Sequence, residues 1–163
     1  MTPRRRLLAL LAAAPIALSA AAIRAADTTK AQPELPKEKL VIVTHDGKKH
    51  VFHVEMALTP DQQEVGLMFR TSVPPDGGML FDWGAPRISQ MWMKNTVSSL
   101  DMVFIDDQGV IRRIVERTVP ESLAIIDSLV PVRATLELAA GTAEKLDIRV
   151  GDKVLQKIFG NAT

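Results

Sequence analysis

The sequence predicts a mainly β fold, a single-domain antiparallel β sandwich or barrel of seven or eight short strands with one or two short helices. Three observations predict it. Short apolar runs rich in β-branched residues recur along the chain, each bounded by Gly, Pro, Asn or Asp. Only one segment, beginning at Thr59, carries a full set of helix-start signals. The chain has 163 residues and is 47% hydrophobic, which suits one domain with a real core.

Leu40-Val41-Ile42-Val43-Thr44 reads as the first strand and Lys49 to Ala57 as the second. Asp46-Gly47 between them is hairpin chemistry. Thr59 is a helix N-cap, Pro60 fits the first helical position, and Gln62 completes a capping box. The helix is expected to reach about Met68, because Val73-Pro74-Pro75-Asp76-Gly77-Gly78 cannot continue it. Met79 to Trp83, Ser89 to Asn95, Leu100 to Ile105 and Val110 to Glu116 read as strands, with Asp106-Asp107-Gln108-Gly109 turning the last pair. Thr135 to Leu138 is a further strand, Thr142 is expected to cap a helical turn, and Val154 to Phe159 closes the chain.

Residues 1–25 are different chemistry. Arg4, Arg5 and Arg6 precede an apolar stretch from Leu7 to Leu18 and small residues up to Ala22, the order of a cleavable signal peptide. Cleavage after Ala22 or Ala25 predicts a periplasmic or secreted protein with no transmembrane segment left. Residues 26–39, with Pro33 and Pro36 among polar side chains, read as a flexible tether, and residues 40–160 as one β-rich domain. Four of the 20 basic residues and none of the 19 acidic ones lie in the first 25 positions. The mature chain then holds 16 basic against 19 acidic groups, a net of −3. That balance gives no case for nucleic acid, whose binding needs a clustered basic surface. Cysteine is absent, which removes disulfides and thiolate chemistry.

Five blocks carry a resemblance: Gly66-Leu67-Met68-Phe69-Arg70, Gly78-Met79-Leu80-Phe81, Met91-Trp92-Met93-Lys94-Asn95-Thr96, Leu100-Asp101-Met102-Val103-Phe104-Ile105-Asp106, and Leu136-Glu137-Leu138-Ala139-Ala140-Gly141-Thr142. With Gly151-Asp152-Lys153-Val154, they make the sequence similar to the prokaryotic family called domain of unknown function 192, from about Val51 to Lys157. The resemblance implies a compact β-rich fold, often exported, with no established activity or ligand. Two departures stand out: Gln62-Gln63 stand where a Glu-Arg pair is common, and Ser99 stands where a Pro is common.

The densest polar constellation is Met91 to Thr96 followed by Asp101. Strand alternation would put Met91, Met93 and Asn95 on one face and Trp92 and Lys94 on the other. Arg70, Trp92, Lys94, Asn95, Thr96 and Asp101 are the candidate ligand-binding residues, with Glu137 as a secondary candidate. Donors, an acceptor and an aromatic platform suit a small polar, anionic or saccharide-like ligand. The plainer alternative is that Lys94 pairs with Asp101 or Glu137 and Trp92 covers the sheet.

Met56, Met68, Met79, Met91, Met93 and Met102 could supply soft ligands to Cu(I), but each sits in an apolar run and reads as core filler. His50 and His53 face opposite sides of one strand, and His45 lacks a third ligand. No serine sits in a nucleophile elbow, and Asp106 to Gly109 lacks the ligands of a calcium loop. The sequence therefore assigns no catalytic residue, no metal ligand and no cofactor. It reads as an exported, non-enzymatic binding module. The alternatives are an envelope hydrolase using Asp101 or Glu137, and an assembly accessory that would show an exposed apolar patch.

Overall fold

The computed structural model describes residues 26–162; the stretch read as an export signal, residues 1–25, lies outside the described residues. Seven strands form one sheet: β1 (Lys37–Val43), β2 (Lys49–Ala57), β3 (Gly77–Met91), β4 (Leu100–Ile105), β5 (Ile111–Val115), β6 (Ile126–Ala139) and β7 (Lys153–Leu155). Two short helices accompany them, α1 (Pro60–Val65) and α2 (Thr142–Lys145). The strand order is β5-β4-β6-β3-β2-β1-β7. The two edges meet in a bridge between Val110 and Lys153, with the Val154 N–H donating to the Gly109 carbonyl at 2.7 Å. The sheet thus curls almost into a barrel and hides most of its edge groups.

Both faces of the curled sheet are apolar, which explains strands that read as nearly continuous hydrophobic runs. β4 is buried at all six positions. Its Val103 and Ile105 enter the inner core with Leu40, Ile42, Phe52, Val54, Leu80 and Leu136. Its Leu100, Met102 and Phe104 join an outer layer with Leu67, Met79, Phe81, Met91, Met93 and Val132. Each fully buried Phe or Leu contributes about 1.5–3 kcal/mol relative to exposure, so β4 stabilises through both layers at once.

The first hairpin and α1 form as local chemistry dictates. Thr59 accepts from the Gln62 N–H while the Gln62 side chain accepts from the Thr59 N–H, a complete capping box. The helix ends at Val65, short of the expected Met68, because Gly66 turns to a positive φ of 51°. One strand pair is not antiparallel: β2 and β3 run parallel. The segment between them, with α1, is a crossover that returns the chain to the same end of the sheet.

Other differences have local causes. The expected strands 79–83 and 89–95 belong to one strand, β3, with irregular register between Asp82 and Arg87 that absorbs Gly84-Ala85-Pro86. That strand stops at Met91, and Asn95 takes a positive φ of 55° in a turn. β6 begins at Ile126, well before Thr135, because Pro131 lies opposite Ile88 beside a register shift where an N–H is dispensable. Gly141 rather than Thr142 is the N-cap of α2.

β1 starts at Lys37, inside the segment read as a tether. Residues before it lie along the domain: the Gln32 side chain donates to the Gln62 and Gly66 carbonyls, and the Leu35 N–H donates to Glu55 at 2.8 Å. No helix among the described residues is long and apolar enough to cross a membrane.

Candidate functional site

The inner core takes Phe52, Val54 and Met56 from β2, so alternation turns His53 and Glu55 to the opposite face. There they border a cleft of about 470 Å³ with Lys37, the segment from Phe69 to Pro74, and Gly77-Gly78. Arg70 leaves the loop after α1 and reaches Glu55, Nη2 to Oε2, at 3.2 Å. The same Nη2 donates to the Gln32 carbonyl at 3.3 Å. Its Nε is buried and has no hydrogen-bond partner. The cleft therefore presents donors from Arg70, Lys37, His53 and Ser72, acceptors from Glu34, Glu55 and Asp76, and an apolar wall at Phe69 and Pro74.

A second pocket, of about 370 Å³, opens between α1 and the outer face of β3 and β6. Gln63, Glu64 and Leu67 form one side, and Phe81, Trp83, Met91 and Trp92 form others. Glu137 lies in its wall, 4% exposed, flanked across the sheet by Met79 on β3 and Met102 on β4. Its Oε2 has no hydrogen-bond partner. Burial pushes the Glu137 carboxyl up from its ordinary value of 4.5 to about 8, because nothing beside it compensates the charged form. Gly78 makes this packing possible: a side chain there would meet the Glu137 carbonyl oxygen at 2.4 Å.

The structure distributes the sequence-predicted residues among three places. Arg70 belongs to the first cleft. Trp92 and Thr96 line the second pocket with Glu137, and the Lys94 ammonium lies 5.0 Å from the Trp92 ring centre. Asn95 donates to the Thr28 carbonyl at 3.2 Å. Among the described residues, no ion pair joins Lys94 to Asp101 or Glu137. Asp101 lies elsewhere and is fully buried. Its Oδ1 accepts from the Arg117 and Gly141 N–H groups and its Oδ2 from Ala143, at 2.9, 3.0 and 2.9 Å. It caps α2 from a distant strand, with its oxygens committed to backbone.

Asp82 on β3 is clamped by Arg133 through Nε at 2.7 Å and Nη2 at 3.0 Å. Burial works against its ionisation, but the clamp and the Gly84 N–H outweigh it and hold the carboxyl below its ordinary value. Sequence reasoning did not single out Glu55, and it weighed His53 only as a metal ligand; the outward parity of β2 was the available signal. Four methionines, Met79, Met91, Met93 and Met102, share the outer layer, whereas Met56 is in the inner core. Val119, Leu123, Ile125 and Leu129 are largely exposed apolar side chains.

Residues 41–156 match the family profile described as DUF192, Uncharacterized ACR. A crystal structure from Sinorhizobium meliloti 1021, provisionally described as a transcription regulator, is 46% identical. It superposes with a TM-score of 0.76, covering 78% of this chain and 98% of that one. A protein of unknown function from Novosphingobium aromaticivorans DSM 12444 is 34% identical with a TM-score of 0.73, over 77% of this chain and 91% of its own. No curated protein matches the chain.

Proposed function

The chain belongs to the DUF192 family, and from that premise we propose that it is an exported, non-enzymatic module that binds a small polar, saccharide-like ligand in the cleft beside Arg70. The observation that carries this reading is the Arg70 Nε, buried without a partner in the wall of a 470 Å³ cleft. Burying such a donor costs about 1–3 kcal/mol unless an acceptor meets it; the Nε has no exposed surface of its own, so a ligand oxygen meets it when the Arg70 side chain shifts toward the cleft, and that pairing removes the cost. Glu55 fixes the guanidinium and cancels its charge locally, which favours hydroxyl and carbonyl oxygens over a bare anion. Acceptors from Glu34, Glu55 and Asp76 suit the hydroxyl hydrogens of the same ligand.

Export rests on Arg4 to Arg6, the apolar stretch and the small residues before Ala22. Transcription regulation is not carried over from the Sinorhizobium protein, because the mature chain's net of −3 gives no electrostatic case for DNA.

A thermal-shift series with neutral sugars, sugar acids and peptidoglycan fragments tests the binding. A ligand at a hundred times its dissociation constant adds about 2.7 kcal/mol and raises the melting temperature by roughly 5–10 °C. The rise should shrink in Ser72→Ala and disappear in Arg70→Lys, which keeps the charge and loses Nε. Silence across the series, or a shift untouched by Arg70→Lys, ends the assignment. N-terminal sequencing of protein recovered from the periplasm tests export; a start at Met1 would refute cleavage.

A further inference from the structure

We propose that the second pocket binds an uncharged, flat, largely apolar molecule whose carbonyl oxygen accepts a hydrogen bond from the Glu137 carboxylic acid. This site is separate from the cleft beside Arg70, with which it shares Leu67 alone among the described lining residues. Its ligand is also of a different class. Glu137 borders the pocket, is 4% exposed, and its Oε2 has no partner. Its neighbours across the sheet, Met79 and Met102, carry no charge. Glu64 of α1 and Arg87 of β3, the charged groups that line the pocket with it, are exposed. Burial is therefore unopposed and keeps the carboxyl protonated up to about 8. At neutral pH it offers an O–H donor where an ion would look for charge. A buried donor of this kind is costly to leave unmet.

The walls select the rest of the molecule. Phe81 and Trp83 stack with ring centres 5.7 Å apart and planes at 28°. The Trp83 Nε1 donates to the Thr135 hydroxyl at 3.2 Å, which fixes that ring. Leu67, Met91 and Trp92 add apolar surface. Aromatic walls favour flat, apolar partners, and a space of about 370 Å³ accepts a molecule of two fused rings. The last torsion of a Glu side chain is soft, so the Glu137 carboxyl can turn its O–H to a carbonyl in the pocket. Core packing accounts for Phe81 and Met91, which are buried. It does not account for Trp92, 40% exposed beside an acid without a partner.

Both tryptophans of the chain line this pocket, so the two indole N–H resonances of the ¹⁵N-labelled protein report its occupancy. The probes are 1-tetralone, its carbonyl-free analogue tetralin, and the anion 1-naphthoate. 1-Tetralone should shift both indole signals saturably, and its affinity should fall about fivefold or more between pH 6.5 and pH 9, as the donor ionises. Glu137→Gln keeps a donor and should bind 1-tetralone with no such fall. Glu137→Met nearly conserves volume and should weaken 1-tetralone about fivefold while leaving tetralin unchanged. The pH series on the unsubstituted protein depends on neither variant. Absence of a saturable indole shift, or a 1-tetralone affinity that ignores pH, would overturn the proposal. So would equal effects of Glu137→Met on 1-tetralone and tetralin. Tighter binding of 1-naphthoate than of 1-tetralone at pH 7 would overturn it too, making Arg87 the recognising group.

Discussion

The Asp101 carboxylate on β4 accepts the Ala143 N–H at 2.9 Å and so caps a helix that begins more than forty residues later. Its other oxygen holds the Arg117 and Gly141 N–H groups. Asp101→Ala leaves three backbone donors without this acceptor and should cost about 3–5 kcal/mol. Asp101→Asn keeps the shape but turns an NH₂ against an N–H, costing about 2–3 kcal/mol. Urea melts of the two variants measure both values. Near-native stability in Asp101→Ala would return this carboxylate to the candidates for chemistry.

Glu137 predicts a pH dependence of the opposite sense from an ion-paired carboxylate. Its folded value is raised to about 8 from 4.5. Between those values the folded protein keeps a proton that the unfolded chain has released, so stability falls as pH rises through that window and levels off above it. Each pH unit inside the window removes about 1.4 kcal/mol at most. The charged groups lining the pocket with it are Glu64 of α1 and Arg87 of β3. Glu137→Gln should match the parent near pH 4.5 and exceed it by about 2–4 kcal/mol near pH 8. Urea midpoints that run parallel across the range would contradict the uncompensated burial.

Gly78 should tolerate no side chain. A Cβ there would come 2.4 Å from the Glu137 carbonyl oxygen and 3.0 Å from Leu138, and both belong to the neighbouring strand. Gly78→Ala must push β3 from β6 and should cost about 2–3 kcal/mol or more. Gly47→Ala is the control: its φ of 82° is strained for alanine but nothing lies within 4 Å, so about 1 kcal/mol is expected. Equal losses in the two variants would show that the backbone angle, not the contact, governs.

What the sequence disclosed follows the reach of the interactions. The capping box at Thr59, the Asp46-Gly47 turn and the Asp106-Gly109 turn are decided within a few residues, and all three are legible. The parallel β2–β3 pair, the length of β6 and the meeting of Val110 with Lys153 depend on partners far along the chain. The candidate site divides the same way. Trp92 and Lys94 do come together, but in the turn after β3 ends at Met91 rather than through the strand alternation expected of them. Asp101 reads as a free acid in sequence because its three donors lie far along the chain, at Arg117, Gly141 and Ala143, and the methionine layer reads as scattered filler because separate strands bring it together.

Arg70 and Glu55 are coupled in a way that bears on any binding experiment. They meet at 3.2 Å with side chains 19% and 7% exposed, and Glu55 also holds the Leu35 N–H. Removing Arg70 strands a buried carboxylate, so Arg70→Ala should cost about 3–5 kcal/mol. Glu55→Gln keeps an acceptor for Leu35 and for the guanidinium and should cost less, about 1–2 kcal/mol. With Arg70 already gone, Glu55→Gln should recover part of the loss, because the stranded charge is then absent. A double-mutant cycle in urea should therefore give a coupling of about 1–3 kcal/mol. Strict additivity would mean that the pair contributes nothing beyond its separate contacts, and that Arg70 is positioned by the Gln32 carbonyl instead.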